Sequence, residues 1–274
     1  MKSIVVSKED IGGMNIHSRL IENFDFKETE REYKGNKYWE SKKTGLELLL
    51  LDTLHIFSES LDELNSEFII FASRHSSKSG KPTLSVHPVG SWGKAELGGK
   101  DKELGKTSAA LMKSYLISMD EKVKARNLDF EVSYEVTHHG PGLNTPCCFI
   151  EVGSIEPQWK DEKAGMVLAE TIMEKTSFPE CKTVLGIGGL HYNSKFTRIA
   201  LETEYAFSHM CPKYALPNFD QEMLEKGLVA SLEKVEEIVI EAKGFSSEKQ
   251  RILKILENSS IPIRKAKEIL RELK

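Results

Sequence analysis

Phe68-Ile69-Ile70-Phe71-Ala72, followed at once by Ser73-Arg74-His75-Ser76-Ser77, is the stretch that decides how this chain is read. Five apolar residues in a row leave no polar face, so the run predicts a strand buried on both sides. Its end is abruptly polar. Arg74 carries a planar fork of donors suited to a phosphate or carboxylate. Ser76 and Ser77 fit best as helix caps.

Outward from this run, further strands are expected at residues 4–6, 46–51, 84–87, 131–135, 148–152, 183–187, 205–208 and 238–240. Amphipathic segments at 14–23, 61–64, 108–125, 159–175, 195–201 and 222–233 alternate with them. That alternation predicts the α/β class: one three-layer domain around a mixed, mostly parallel sheet. A composition shift near Lys243-Gly244 separates a body, 1–245, from a basic helical extension, 246–274. Helices are expected there at 247–256 and 264–273, the first capped by Ser246 and Ser247, with Ile261-Pro262 breaking the chain between them.

Composition excludes several classes. No apolar run of the 274 residues approaches the roughly 20 needed to cross a membrane. Met1-Lys2-Ser3-Ile4-Val5-Val6 enters a strand directly, without a signal-peptide pattern, so a cytoplasmic location is expected. Cys147 and Cys148 are adjacent and no Cys-x-x-Cys occurs, so the four cysteines read as free thiols. The net charge of −4 opposes a nucleic-acid partner, yet residues 248–274 hold eight basic against four acidic residues. This +4 tail leaves −8 for the body; it suits phosphates or a solvated mixed-charge helix face.

Histidine is the informative residue. Six of eight (His75, His87, His138, His139, His191 and His209) fall at or just after a predicted strand. In a parallel sheet the carboxyl ends share one edge, where ligands bind, so these six are expected along that edge. His17, on the first helix, reads as a packing or surface residue. Alternation after residue 131 puts Glu135, Thr137 and His139 on one face, and Val136 and His138 on the other. A Glu–His pair suits activation of water, and with a third histidine it suits zinc. Glu151, inside the apolar strand 148–152, either meets a ligand or pairs with a buried base such as Arg74. Residues 74–107, rich in Ser, Gly, Pro and Lys, are expected to form a functional loop. In it Trp92, between Gly90 and Gly93, either stacks on a terminal adenine or pins the loop to the body.

Leu185-Gly186-Ile187-Gly188-Gly189-Leu190-His191-Tyr192 is the sharpest local feature. Glycines straight after a strand let backbone amides approach a ligand, so Gly188 and Gly189 are candidate oxyanion donors. His191 is the leading catalytic candidate. The run lacks the dinucleotide and P-loop signatures.

Taken in order, these segments resemble the archaeal and plant family of D-aminoacyl-tRNA deacylases. The stretches that carry the resemblance are Phe71 to Ser77, His87 with Gly90-Ser91-Trp92-Gly93-Lys94-Ala95, and Glu135 with Thr137-His138-His139-Gly140-Pro141. Phe149-Ile150-Glu151-Val152-Gly153-Ser154 follows, then Gly186 to Tyr192, then His209 with Pro212-Lys213-Tyr214-Ala215. The likeness spans the first strand to about residue 244. It implies hydrolysis of the ester joining a D-amino acid to the tRNA 3′ adenosine, a role in translation quality control, and zinc dependence. It also implies a fold similar to phosphorylases and peptidyl-tRNA hydrolases. On this reading His191 or His139, supported by Glu135, activates water, and the Gly188 and Gly189 amides hold the oxyanion. Arg74, His75, Trp92, Lys94 and Glu151 meet the substrate, and His138, His139 and His191 bind the metal. D-aminoacyl-tRNA is the partner, with no membrane, and a monomer or weak oligomer is expected. Rival readings are a nucleoside phosphorylase or nucleosidase, suggested by the related fold and glycine turn, and a non-catalytic binder of tRNA ends.

Overall fold

The computed structural model describes residues 1–273. In chain order its strands begin with β1 (Lys2–Ser7), β2 (Phe26–Tyr33), β3 (Asn36–Ser41), β4 (Leu46–Leu51), β5 (Phe68–Arg74) and β6 (Thr83–His87). A two-residue pair, β7 (Gly90–Ser91) and β8 (Glu103–Leu104), precedes β9 (Glu131–Tyr134) and β10 (Cys147–Gly153). The last four are β11 (Lys182–Ile187), β12 (Tyr205–Cys211), β13 (Glu237–Ile240) and β14 (Ile263–Lys265). The helices are α1 (Ile11–Asn23), α2 (Ala109–Ala125), α3 (Glu156–Trp159), α4 (Glu162–Glu174), α5 (Ser194–Glu202), α6 (Gln221–Val229), α7 (Lys249–Glu257) and α8 (Ala266–Glu272).

The α/β class with mostly parallel strands is what forms, divided between two sheets. The larger has eight strands in the order β2-β3-β4-β1-β5-β10-β6-β9; the smaller has four, β12-β11-β13-β14, all parallel. The period-2 geometry of a strand explains the layers. Ile4, Leu48, Ile70, Ala72, Leu84, Cys148 and Ile150 point to one face, which α1, α2 and α4 cover. Val5, Leu49, Phe71 and Phe149 point to the other, joined there by Leu61 and Val89 from irregular segments. The second face carries the polar residues.

Four expectations change. Strand directions do not all agree: β10 and β6 are antiparallel, and β9 follows β6. The histidines therefore gather on a sheet face, not along a shared carboxyl edge. The hairpin β2–β3, FKETEREY against NKYWES, went unread because an exposed edge strand needs no apolar run. The helix expected at 159–175 breaks in two, since Asp161 accepts from Ala164 N and starts α4 afresh. Ser246 and Ser247 make no capping hydrogen bond at the start of α7, which opens from a 3-10 turn instead.

The segment after 245 is also more than a helical appendage. β14 adds the fourth strand of the smaller sheet, and Ile252, Leu256, Ala266 and Ile269 enter the core. Much of its charge is tied down. Arg251 donates to the Leu216 and Phe219 carbonyls, Arg264 pairs with Glu272, and Lys265 with Glu268. Lys249, Lys254, Lys267 and Arg271 have no ion pair among the described residues. His17 packs its ring edge-on to Trp39 at 5.5 Å. Cys147, Cys148 and Cys211 are buried free thiols, and Cys181, also free, is half-buried. Among the described residues no helix is long and apolar enough to cross a membrane.

Candidate active site

Two carboxylates stand where apolar side chains would be expected. Glu151 projects from the middle of β10, on the same face as Phe149, and is 2% exposed; Glu135, just past β9, is 0% exposed. Isolated buried charges cost several kcal/mol, so they persist only when matched. Neighbouring strands supply the partners, Ser73 standing in register with Glu151. Ser73 on β5 donates to Glu151 Oε1, and Ser85 on β6 donates to Glu135 Oε1. The partner of Glu151 is thus not Arg74 but a set of histidines.

Those histidines converge from four segments. Glu135 Oε2 lies 2.9 Å from both His75 Nδ1 and His191 Nε2, and 3.5 Å from His138 Nε2. Glu151 Oε2 lies 3.4 Å from His75 Nδ1 and 3.5 Å from His87 Nε2. Burial favours the neutral acid at Glu135, yet His191 and His75 hold its carboxyl well below the ordinary range. Glu151 is held down in the same way by His75 and His87. Burial alone would lower His75, but its bonds to the two carboxylates push it up to about 10.

His138 reaches Glu135 because the alternation expected over 135–139 stops early. β9 ends at Tyr134, and His139 takes a left-handed φ of 45°. Glu135 then pairs as an isolated bridge with Tyr192, and Val136 N donates to His191 O at 3.0 Å. This clips the glycine turn after β11 onto the face of the larger sheet. Gly188 and Gly189, at φ 102° and 92°, make the turn that delivers His191. They are poor oxyanion donors: Gly188 N already donates to Cys211 O at 2.8 Å, and neither glycine lines the cavities described below.

Three imidazoles share a telling orientation. His87, His138 and His139 each place Nδ1 near a backbone carbonyl, of Pro88, Val136 and Gly140, at 3.1, 2.8 and 2.7 Å. Nδ1–H donation there leaves Nε2 of His138 and His139 as a lone pair, while at His87 the Glu151 carboxylate outweighs burial and raises the pKa. Burial lowers His138 far below its ordinary value and takes His139 down to about 4, keeping both neutral. Lone pairs and carboxylate oxygens thus face one another, and His87 Nε2 and Glu151 Oε2 have no hydrogen-bond partner. Three overlapping donor groups have ligand atoms within 4.8 Å of one another: His75, Glu135, His138 and His191; His87, His138 and His139; and His87, Glu135 and Glu151. The expected trio His138, His139 and His191 is not one group, because His139 faces His87 and His191 faces His75. These groups hold donor atoms that could ligate a metal ion, with the imidazole tautomers fixed by the backbone carbonyls.

The cluster forms a wall between two cavities, which share Leu97, His138, His139 and His191. The first, about 570 Å³, is lined also by Asp10, His55, Arg74 and Tyr192. Arg74 is half-buried with its guanidinium 5.0 Å over the Trp159 ring, and it makes no ion pair among the described residues. The second, about 460 Å³, is lined also by Lys94, Tyr214 and Asn218. Trp92 borders it but is no exposed stacking platform. It is 2% exposed, and Nε1 donates to Met210 O at 3.2 Å, so it pins the loop. His209 is likewise structural. Thr137 Oγ1 accepts from Met210 N and donates to His209 Nδ1, whose Nε2–H serves the Gly105 and Ala230 carbonyls. Asp10, His55 and Tyr214 escaped notice as site residues. Asp10 caps α1, and His55, although it follows the strand at 46–51, has no glycine turn or second histidine beside it.

Comparison with known proteins places this geometry. Residues 62–264 match the family model described as D-aminoacyl-tRNA deacylase. A Thermococcus onnurineus protein of that name is 42% identical over 270 residues, covering 93% of this chain and 96% of its own. The Pyrococcus furiosus protein of that name is 42% identical over 265 residues, covering 94% and 97%. A crystal structure of a conserved protein of unknown function superposes with TM-score 0.89 at 33% identity, covering 99% of this chain and 97% of that one.

Proposed function

Because the chain belongs to the D-aminoacyl-tRNA deacylase family, it hydrolyses the ester of D-aminoacyl-tRNA, and we propose that the Glu135–His191 pair activates the attacking water. The 2.9 Å contact between His191 Nε2 and the buried Glu135 carboxylate carries this reading. With Nε2–H held by Glu135, Nδ1 of His191 has the lone pair that takes the proton of water. His191 is partly exposed, its side chain 34% accessible, so water and substrate reach it. The same nitrogen returns the proton to the departing 3′ oxygen, leaving free D-amino acid and tRNA.

The buried acceptors fit zinc, and the residues that would hold it are His87, His138 and His139, with Glu135 and Glu151 grouped beside His87, which leaves His191 free to act as the base. Zinc, when bound, supplies a Lewis acid that polarises the ester carbonyl. The chain's own residues provide the rest. Phe149, stacked on His87 at 5.1 Å, keeps the cluster dry, and Ser73 and Ser85 orient the carboxylates. Arg74 and Lys94, one in each cavity, supply cations for the substrate, Lys94 for the phosphates of the tRNA end. A tRNA substrate supports a cytoplasmic location.

The test compares hydrolysis of D-Tyr-tRNA and L-Tyr-tRNA by the purified protein and by His191→Ala. The wild type should cleave the D ester and spare the L ester. His191→Ala should lose about 10²- to 10⁴-fold on the D ester, the usual scale of a general base. An unchanged rate in that variant would remove His191 from the role of base.

A further inference from the structure

The first cavity holds a buried pair that the mechanism leaves unused. His55 opens the 3-10 turn His55–Phe57 and is only 3% exposed. Neither of its ring nitrogens has a hydrogen-bond partner among the described residues. Its Nε2 lies 3.5 Å from Asp10 Oδ2, and that carboxylate is 2% exposed. Leaving a polar side chain unmatched inside a protein is costly, and the chain does so here between apolar Leu54 and Ile56. Both His55 and Asp10 line the cavity that opens onto the catalytic cluster.

The chemistry of the pair defines what it suits. Burial lowers His55 to about 4, so it is a neutral imidazole with one acceptor nitrogen. Asp10 accepts from Gly13 N and Arg74 N, at 2.8 and 3.1 Å. A buried carboxylate beside an acceptor imidazole matches an ammonium group, which has three donors and one positive charge. Of the cations lining the cavity, Lys81 is engaged by Glu131, Arg74 lies against Trp159 and His75 is held by Glu135 and Glu151. The α-amine of an aminoacyl ester is such an ammonium, two bonds from the carbonyl carbon. A single ring separates the pair from the cluster: Phe149 has its centroid 5.2 Å from His55 and 4.7 Å from His139.

We propose that His55 and Asp10 bind the α-ammonium group of the aminoacyl ester, which makes the first cavity the amino-acid subsite. Leu54, Ile56 and Leu97 then face the amino-acid side chain. The second cavity, with Tyr214 61% exposed at its rim, takes the nucleotide end. This assignment rests on the deacylase reading of the cluster. His55 and Asp10 bind substrate; they take no part in proton transfer.

The decisive measurement is kcat/KM on two esters of the same tRNA: D-tyrosine, and 3-(4-hydroxyphenyl)propionate, which is tyrosine without its amine. His55→Leu keeps an apolar body against Phe71 and Phe149. It should lose about 10- to 100-fold on the tyrosyl ester, the scale of a hydrogen bond to a charged group, and almost nothing on the amine-free ester. Asp10→Asn preserves an acceptor for the α1 cap and should show the same selective loss. Retained hydrolysis of the amine-free ester certifies that each variant is folded. Equal losses on both esters, or no loss on either, would overturn the assignment. A wild-type protein inert toward both esters would overturn the deacylase reading, and this assignment with it.

Discussion

Two buried glutamates, one in each sheet, show how differently a fold treats a structural charge and a working one. Glu237 on β13 is 5% exposed. It is met by Lys182 and by the Tyr205 hydroxyl at 3.0 Å, which in turn accepts from Arg264 Nη1 at 2.9 Å. Its partners include cations of fixed charge. Glu135 is buried as deeply, but its charged partners are all histidines, and lone pairs with no donor lie beside it. Permanent cations quench a buried carboxylate; titratable imidazoles around a cavity leave it able to exchange protons or ligands. Burial of a charge is therefore not itself a sign of function. The kind of partner is.

The contrast can be broken at four levels. Metal removal is the largest: dialysis against a chelator should abolish hydrolysis while far-UV circular dichroism persists, and added zinc should restore activity. Activity indifferent to chelation, in protein shown by elemental analysis to be metal-free, would leave Glu135–His191 working alone. Next, Glu135→Gln should lower kcat/KM by about 10²- to 10⁴-fold with the fold intact. Glu237→Gln should do the reverse, sparing kcat/KM while lowering the unfolding free energy in urea by about 1–3 kcal/mol. If the two substitutions gave the same pattern, the distinction between the networks would fail.

The smallest effect concerns the brace under the histidine-bearing loop. Asp62 accepts hydrogen bonds from Asn144 and Thr145. Burial raises its pKa, but those hydrogen bonds outweigh burial and the net shift is downward. A depressed carboxyl contributes stability that is complete above the unfolded value of about 4 and is lost as pH falls through the folded one. Asp62→Asn should thus cost at most about 1 kcal/mol near neutrality, as for other partly exposed pairs. The gap should shrink in unfolding curves recorded progressively below that pH.

How much was legible follows from what each signal depends on. Residues 46–51 and 68–72 announce strands because apolar runs report burial directly, and Leu46–Leu51 forms as expected. The hairpin β2–β3 is charged and half-solvated, so nothing in its composition marks it. Histidines after strands pointed to a site, and the structure brings His75, His87, His138, His139 and His191 together. His209, chosen on the same ground, clamps two backbone carbonyls instead. Gly188 and Gly189 were correctly singled out as a special turn, but their service is to aim His191. Trp92 shows the limit of local composition: its glycine neighbours left stacking and pinning both open, and packing against the smaller sheet decided for pinning.

The sequence by itself determined the α/β class, most strand positions, the family, and which side chains have the chemistry for ester hydrolysis. These depend on residue type and near-neighbour spacing, which a strand or helix converts into a face without outside help. Only the tertiary structure decided that β6 and β9 run against β10, that the chain turns after Tyr134, and that His55 is buried beside Asp10. Those outcomes join residues 45 to 70 positions apart. They are set by strand order and by packing between sheets, terms that local spacing does not contain.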